Sequence, residues 1–541
     1  MAKTTLFAAK SILTMDKTQP RATHVAVRDG RVLAVGGADC ADIWGGAEEN
    51  IDLSDSVLMP GFVEGHAHLM AGAMWSYAYC GFHDRLDPDG KMHKGMTDID
   101  QVIARLREFE ATLGPGEPLV GWGFDPIFLT SERLSKTHLD QVSVDRPIAI
   151  IFSNFHLLCA NSPALALARY DVTTNLEGVI KGADGTPTGE LQEMAAMFPV
   201  MRRMGIDFRA LTQTKEALLT YGQVCRHAGV TTATDLFATL DDDDIMRLTT
   251  VTARRDFPIR LVPAVGAMGA TPSDIAAYAL ALRKASTDKL RLGAVKLMTD
   301  GSIQGWTARV RAPGYVGGQP NGIWNTPPEL IFQLCEEMQK NGVQMHIHVN
   351  GDEAAEVSLD ALETAARKYP WPGARHVLQH CQMMDAALFR RAAELGVACN
   401  IFANHLWYFG DQHATLTIGP DRAHAIDAVR DCLDAGVITA IHSDAPVTPM
   451  APLFTAWCAV NRLTMSGQTL GAAQKTSVDE ALYAITLGAA QTLKMDDEIG
   501  SIQVGKLADF VLLKDDPTQV DPRTLKDIEV LGTILGGEVH K

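Results

Sequence analysis

The central part of the chain repeats one pattern. Short apolar runs, each too brief for a buried helix, alternate with longer stretches in which apolar residues recur at helical spacing. Eight such runs are predicted as strands: Val57 to Glu64, Gly229 to Asp235, Ile259 to Val265, Leu292 to Met298, Val343 to Val349, His376 to Gln379, Gly396 to Ile401 and Val437 to Ser443. Strands that are apolar on both faces, with helices between them, make a parallel sheet, and eight of them predict an α/β fold built on a closed (β/α)8, TIM-like barrel. The two ends read differently. Thr23 to Arg28 alternates apolar and polar residues, Asp29-Gly30 turns the chain, and Arg31 to Val35 returns. Ala508 to Leu513 and the runs flanking Gly536-Gly537 have the same character. Residues 1–56 and 497–541 are therefore expected to form one small β-sandwich domain. Residues 57–496 are expected to form the barrel domain.

Between the first two barrel strands lies a gap of about residues 69–228. It contains helical patterns at Asp98 to Leu113 and Asp207 to His227, and polar turns such as Gly182 to Pro187. A structureless loop of that length is implausible, so it is read as a folded insertion over the barrel mouth that shapes a substrate pocket.

Composition narrows the function classes. A length of 541 residues suits one large barrel with an accessory domain. The net charge of −17 repels phosphate backbones and anionic lipids, so neither nucleic acid nor membrane is an expected partner. Nine scattered cysteines without a CxxC pair argue against a disulfide framework and for a reducing compartment, here the cytoplasm. No GxGxxG follows the first strand, which sets aside a flavin or nicotinamide enzyme.

Candidate chemistry sits at strand ends. His66 and His68 follow the first strand two residues apart, so both imidazoles lie on one face. Lys296 stands in the apolar run Gly293 to Met298. A lysine there needs a partner such as Asp300, or neutralisation by carboxylation. His348, His380 and Asp444 close the fifth, sixth and eighth strands. Each alone is ordinary, but the C-terminal ends of barrel strands converge on one volume. This nitrogen and oxygen set, without a thiolate, suits a divalent ion, with zinc as the expected metal.

The motifs Met59 to His68, Val295 to Ser302 with Thr307-Ala308, His348 to Asp352, His380 to Gln382, Ser443 to Val447 and Gly500 to Asp509 together resemble the amidohydrolase superfamily, and within it the YtcJ-like (amidohydrolase type 3) family. The resemblance spans nearly the whole chain. It implies that His66, His68 and Asp444 hold one metal. Lys296, as an N6-carboxylated lysine, bridges it to a second metal on His348 and His380. The implied activity is hydrolysis of a small N-acyl or N-formyl amide by water activated at the metal, with Asp444 as the catalytic base. N-substituted formamides are among the family's known substrates. His156, Trp306 and His442 are expected substrate contacts. Esterase, lactonase or deaminase chemistry on the same scaffold, or a silent metal-binding relative, are the alternatives. Mononuclear deaminases of the superfamily usually lack the strand-four lysine, which this chain has as Lys296. The partner is expected to be a small-molecule amide, and a homo-oligomer is compatible with the sequence. Three departures from the family pattern stand out: Glu64-Gly65 before the first histidine, His442 before Ser443-Asp444, and His346 two residues before His348.

Overall fold

All eight expected runs form strands, and they stand side by side in chain order. A computed structural model describes residues 4–45, 47–50, 52–129 and 132–541. The barrel strands are Phe62–Glu64 (β1), Val230–Ala238 (β2), Arg260–Gly266 (β3), Ala294–Met298 (β4), Met345–Val349 (β5), Val377–His380 (β6), Ala398–Ile401 (β7) and Thr439–Ile441 (β8). They form one sheet in the order β8-β7-β6-β5-β4-β3-β2-β1, parallel throughout. The sheet closes just past its ends. Ala67 bridges Ala445 in parallel, the Asp444 amide donates to the His66 carbonyl at 3.2 Å, and the His68 amide donates to Ala445 at 2.9 Å. Glu64, one of the departures from the family pattern, reinforces the seam. Its buried carboxyl accepts from the Ser443 amide at 3.2 Å and the Ser443 hydroxyl at 2.8 Å.

Strand alternation separates core from site. On β4 and β5, Val295, Leu297, Met345, Ile347 and Val349 pack outward into the main hydrophobic core with the surrounding helices. Lys296, His346 and His348 take the opposite face, which is the barrel interior.

The chain ends build one eight-stranded sheet, with path Glu538–His540, Val530–Leu535, Phe510–Leu513, Val57–Pro60, Thr5–Leu13, Arg21–Arg28 and Arg31–Gly36, and Glu48–Asn50 alongside Thr5–Leu13. This sheet has its own core of Phe7, Ile12, Val25, Leu58, Phe510 and Ile534, and the strands expected as a sandwich are hydrogen-bonded into one sheet. Val57–Pro60 belongs here, paired with Phe510–Leu513, rather than to the first barrel strand as expected. The apolar run is continuous, but the chain changes sheets at Gly61. A Cβ there would lie 2.0 Å from the Thr231 hydroxyl, so only glycine lets the chain pass β2 that closely.

The insertion is a folded unit with its own six-stranded sheet, ordered Val179–Lys181, Pro187–Gln192, Leu157–Ala160, Ile148–Phe152, Leu119–Phe124 and Ala78–Tyr79. Its two cores pack on opposite faces of that sheet. It ends earlier than expected. The predicted helix from Asp207 to His227 breaks at Gln213-Thr214, and its second part, Lys215–His227, places Leu218, Tyr221 and Cys225 in the barrel core. That helix is the barrel's own connection into β2.

Candidate active site

The C-terminal ends of β1, β4, β5, β6 and the residues after β8 converge beneath the insertion. Asp444 is the hub: its Oδ1 lies 3.3 Å from both His66 Nε2 and His68 Nε2, and its Oδ2 lies 3.7 Å from His380 Nδ1. Lys296 Nζ approaches His66 Nε2 at 3.4 Å. Two groups of donor atoms, His66/His68/Asp444 and His66/His380/His442, each lie within 4.8 Å of one another. His380 and Asp444 hold positive φ values of +73° and +54°. For residues with a Cβ this costs on the order of 1–3 kcal/mol, and such conformations concentrate at functional sites.

The electrostatics suit a cation. Burial drives the imidazoles of His66, His348 and His380 well below their ordinary pKa, so they are neutral lone-pair donors. Burial pushes Asp444 upward, but the hydrogen bond and charge of His68 outweigh it and hold the carboxylate below its usual range. His380 Nδ1 and both nitrogens of His442 are buried without a hydrogen-bond partner. Orphaned buried polar atoms are costly unless something bonds them, and these converge. The donor set therefore fits a divalent metal.

Lys296 is fully buried, and burial lowers its pKa to about 7. The ordinary ion pair with Asp300 is not formed. Asp300 turns away and accepts the amides of Asn350 (3.1 Å), Gly351 (2.9 Å) and Arg309 (3.0 Å). Among the described residues no carboxylate lies within ion-pair distance of Lys296.

The structure separates the two histidines of β5. His346 lies a layer deeper, where Gln379 Nε2 donates to its Nδ1 at 2.8 Å. The His348 ring lies 4.5 Å from that of His380, but its Nε2 is turned toward the Gly301 carbonyl and Asn350 Nδ2, both at 3.1 Å. His348 thus stands beside the donor clusters and outside both of them.

Gln379 was not singled out from the sequence. Its Oε1 accepts from His66 Nδ1 at 2.8 Å and from Asn400 Nδ2 at 3.0 Å, while its Nε2 serves His346. This holds the proton of His66 on Nδ1 and leaves Nε2 free toward Asp444. Orienting a ligand imidazole through its far nitrogen is a recurrent feature of metal sites. The polar residue one position before His380 in an apolar strand was the signal available.

The site opens into a cavity of about 1610 Å³. His156 lines it, with Nδ1 2.8 Å from Glu193 Oε2 and its ring 5.3 Å from that of His348. Burial opposes protonation of His156, but the Glu193 carboxylate outweighs it and raises the pKa. Gln304 also lines the cavity and ends a buried chain. Its Oε1 meets His405 Nε2 at 3.0 Å, His405 Nδ1 meets His413 Nε2 at 3.1 Å, and His413 Nδ1 meets the Thr417 hydroxyl at 2.8 Å.

Two expected substrate contacts are not on the cavity wall. Trp306 packs against the Ile303 and Leu406 cluster, with Arg133 5.7 Å above its ring. His442 is fully buried behind His66, stacked on it at 4.6 Å and on Phe402 at 4.9 Å. Both side chains leave on the other side of the wall. His442 sits instead among the possible metal donors. Trp75, Trp122, Phe124 and Trp407 pack in the cores of the insertion and the barrel and do not line the cavity.

A family model described as "Amidohydrolase family" matches residues 49–540. The chain belongs to the amidohydrolase family. This amidohydrolase is 27% identical over 552 residues to the putative amidohydrolase YtcJ of Bacillus subtilis (strain 168), covering 98% of this chain and 97% of that one. It is 25% identical over 549 residues to the N-substituted formamide deformylase of Arthrobacter pascens, covering 97% and 96%. Among solved structures, an uncharacterized metal-dependent hydrolase of Pyrococcus horikoshii OT3 has the same fold, with a TM-score of 0.71, 20% identity and coverage of 96% of this chain and 99% of that one.

Proposed function

We propose that this amidohydrolase is a metal-dependent hydrolase that cleaves the carbon–nitrogen bond of a non-peptide amide of N-acyl or N-formyl type. The observation that carries the reading is the convergence of the donor atoms of His66, His68, His380 and Asp444 around Lys296 at the floor of a large cavity, with buried nitrogens of His380 and His442 left without a hydrogen-bond partner beside them. The likeness to an N-substituted formamide deformylase supports the amide class. Nitrogen and oxygen donors without thiolate favour zinc. His66, His68 and Asp444 would hold one ion, and His348 and His380 a second. Lys296, buried and without a carboxylate partner, would join them as an N6-carboxylated bridge.

When bound, a divalent ion polarises a carbonyl and makes water acidic enough to attack at neutral pH. The protein's own groups supply the rest. Asp444, ionised at rest, accepts the proton of the attacking water and passes it to the leaving nitrogen. Gln379 keeps His66 in the tautomer that presents Nε2. His156, anchored through Nδ1 to Glu193, offers its other nitrogen to the negative charge that develops on the carbonyl oxygen. The partner is a small-molecule amide, the strongly acidic chain disfavours nucleic acid and anionic membranes, and a cytoplasmic location accords with nine free cysteines. Among the described residues no helix is long and apolar enough to cross a membrane.

The test combines metal analysis of the purified protein with a panel of N-formyl amides, N-acyl amides and p-nitrophenyl esters. The expected result is bound divalent metal and amide hydrolysis that a chelator abolishes and added metal restores. Bound metal with no hydrolysis of any compound would move the chain to a silent relative.

A further inference from the structure

The cavity is larger than a small formamide or acetamide needs. Ligand pockets usually enclose about 300–1,000 Å³, and this one reaches about 1610 Å³. Its two ends differ in chemistry. Near His348 the walls are buried and polar: Asn154 donates to Ser302 at 3.0 Å, Asn350 meets His348, and Gln304 is fixed by His405. Toward solvent the walls carry large apolar side chains, with Glu177, Arg202, Arg203 and Asp207 at the rim. The insertion helix Glu193–Met204 lines the cavity with Met197, Phe198 and Met201, and the loop after β3 adds Met268.

The exposure pattern points to a ligand. Leu176, Phe198 and Met268 are 38%, 41% and 39% exposed, and all three line this one cavity although they come from separate segments. Large apolar side chains left in water and gathered at a site mark a surface that something apolar covers. The occupant must also reach the donor cluster at the cavity floor. Methionine walls suit it, because thioether side chains reshape around varied apolar groups.

Resting on the reading above, we propose that the substrate is an amide with a long apolar arm, an extended alkyl chain or fused aromatic system, that runs from the donor cluster to the mouth at Leu176, Phe198 and Met268. The amide group sits among the polar residues beside His348, and the arm lies along the insertion helix. Burial of the arm against these apolar side chains makes its length a determinant of specificity.

Two homologous series test this on the metal-loaded protein: p-nitroanilides of acids from acetyl to dodecanoyl, and N-alkylformamides from methyl to dodecyl. The expected result is that kcat/KM in one series climbs by up to about fourfold per methylene. The series that climbs shows whether the arm is on the carbonyl or the nitrogen side. Phe198→Asp and Met268→Asp are expected to lower the octyl-to-short-chain ratio at least about tenfold. Val504→Asp, an exposed apolar position outside the cavity, leaves that ratio unchanged. Binding is measured separately by calorimetry of acetamide and octanamide on the Asp444→Asn protein. Tighter binding of octanamide supports the arm. Flat dependence on chain length in both series overturns the proposal, as does equal binding of the two amides when neither series is hydrolysed. Absence of hydrolysis throughout would count against the amidase reading, and the binding arm would still judge the apolar site.

Discussion

Replacing Gln379 with leucine isolates the part of the site that acts through orientation. Leucine keeps the volume but removes the acceptor for His66 Nδ1 (2.8 Å) and Asn400 Nδ2 (3.0 Å) and the donor to His346 Nδ1 (2.8 Å). All four residues are buried, so no bulk water replaces these bonds. An unsatisfied buried polar group costs about 1–3 kcal/mol, and neighbouring losses do not add fully, so the metal-free protein should lose about 3–5 kcal/mol. Metal binding should suffer separately. With no acceptor at Nδ1, His66 is free to place its proton on Nε2, the atom that faces Asp444. Loss of such an orienting bond typically lowers metal affinity about 10–100-fold. Glutamate at the same position keeps the acceptor for His66 and Asn400, so Gln379→Glu should bind metal at least as tightly as the parent. The assay is zinc competition against a fluorescent chelator, with urea unfolding of the metal-free proteins and circular dichroism to establish the fold. A Gln379→Leu protein that is folded and binds zinc within twofold of the parent would refute the reasoning.

Asp444→Asn should abolish turnover while leaving the circular dichroism spectrum unchanged, and near-parental activity would remove its role as proton acceptor. Lys296→Ala should lower the metal-to-protein ratio measured by plasma mass spectrometry, and an unchanged ratio would remove the bridge. Asp125, remote from the donor cluster, provides a pH test. Burial raises its pKa from 3.8 to about 6 against hydrogen bonds from Ser153 and Ile127. Between those values the unfolded chain has released this proton and the folded chain has kept it, so stability falls as pH rises through the window. The contribution is about 3 kcal/mol. Parent-minus-Asp125→Asn differences in unfolding midpoint from pH 3.5 to 7 should show that fall, and a flat difference would contradict it.

Much of the fold was legible because it is encoded locally. Apolar run length and spacing place the eight barrel strands within a few residues, and the hairpin at Asp29-Gly30 follows from turn chemistry alone. Position at the ends of those strands also located His66, His68, Lys296, His380 and Asp444. Strand alternation fixes which face each side chain takes once the strand is known.

Other features depend on which segments meet, and no local pattern carries that. Val57–Pro60 left the barrel for the terminal sheet because Gly61 must pass Thr231, a contact between residues far apart in the chain. Gln379 became an orienting residue only when β6 was set beside β5 and across from His66. Trp306 and His442 are close in sequence to site residues, yet backbone direction sends one into a core and the other behind His66. The cavity wall came from the helix Glu193–Met204, whose methionines look like core until the insertion folds over the barrel. Periodicity thus determined the elements and the ends where chemistry could sit. Tertiary packing alone decided which donors share an atom's reach, because that depends on distances across the barrel and not along the chain.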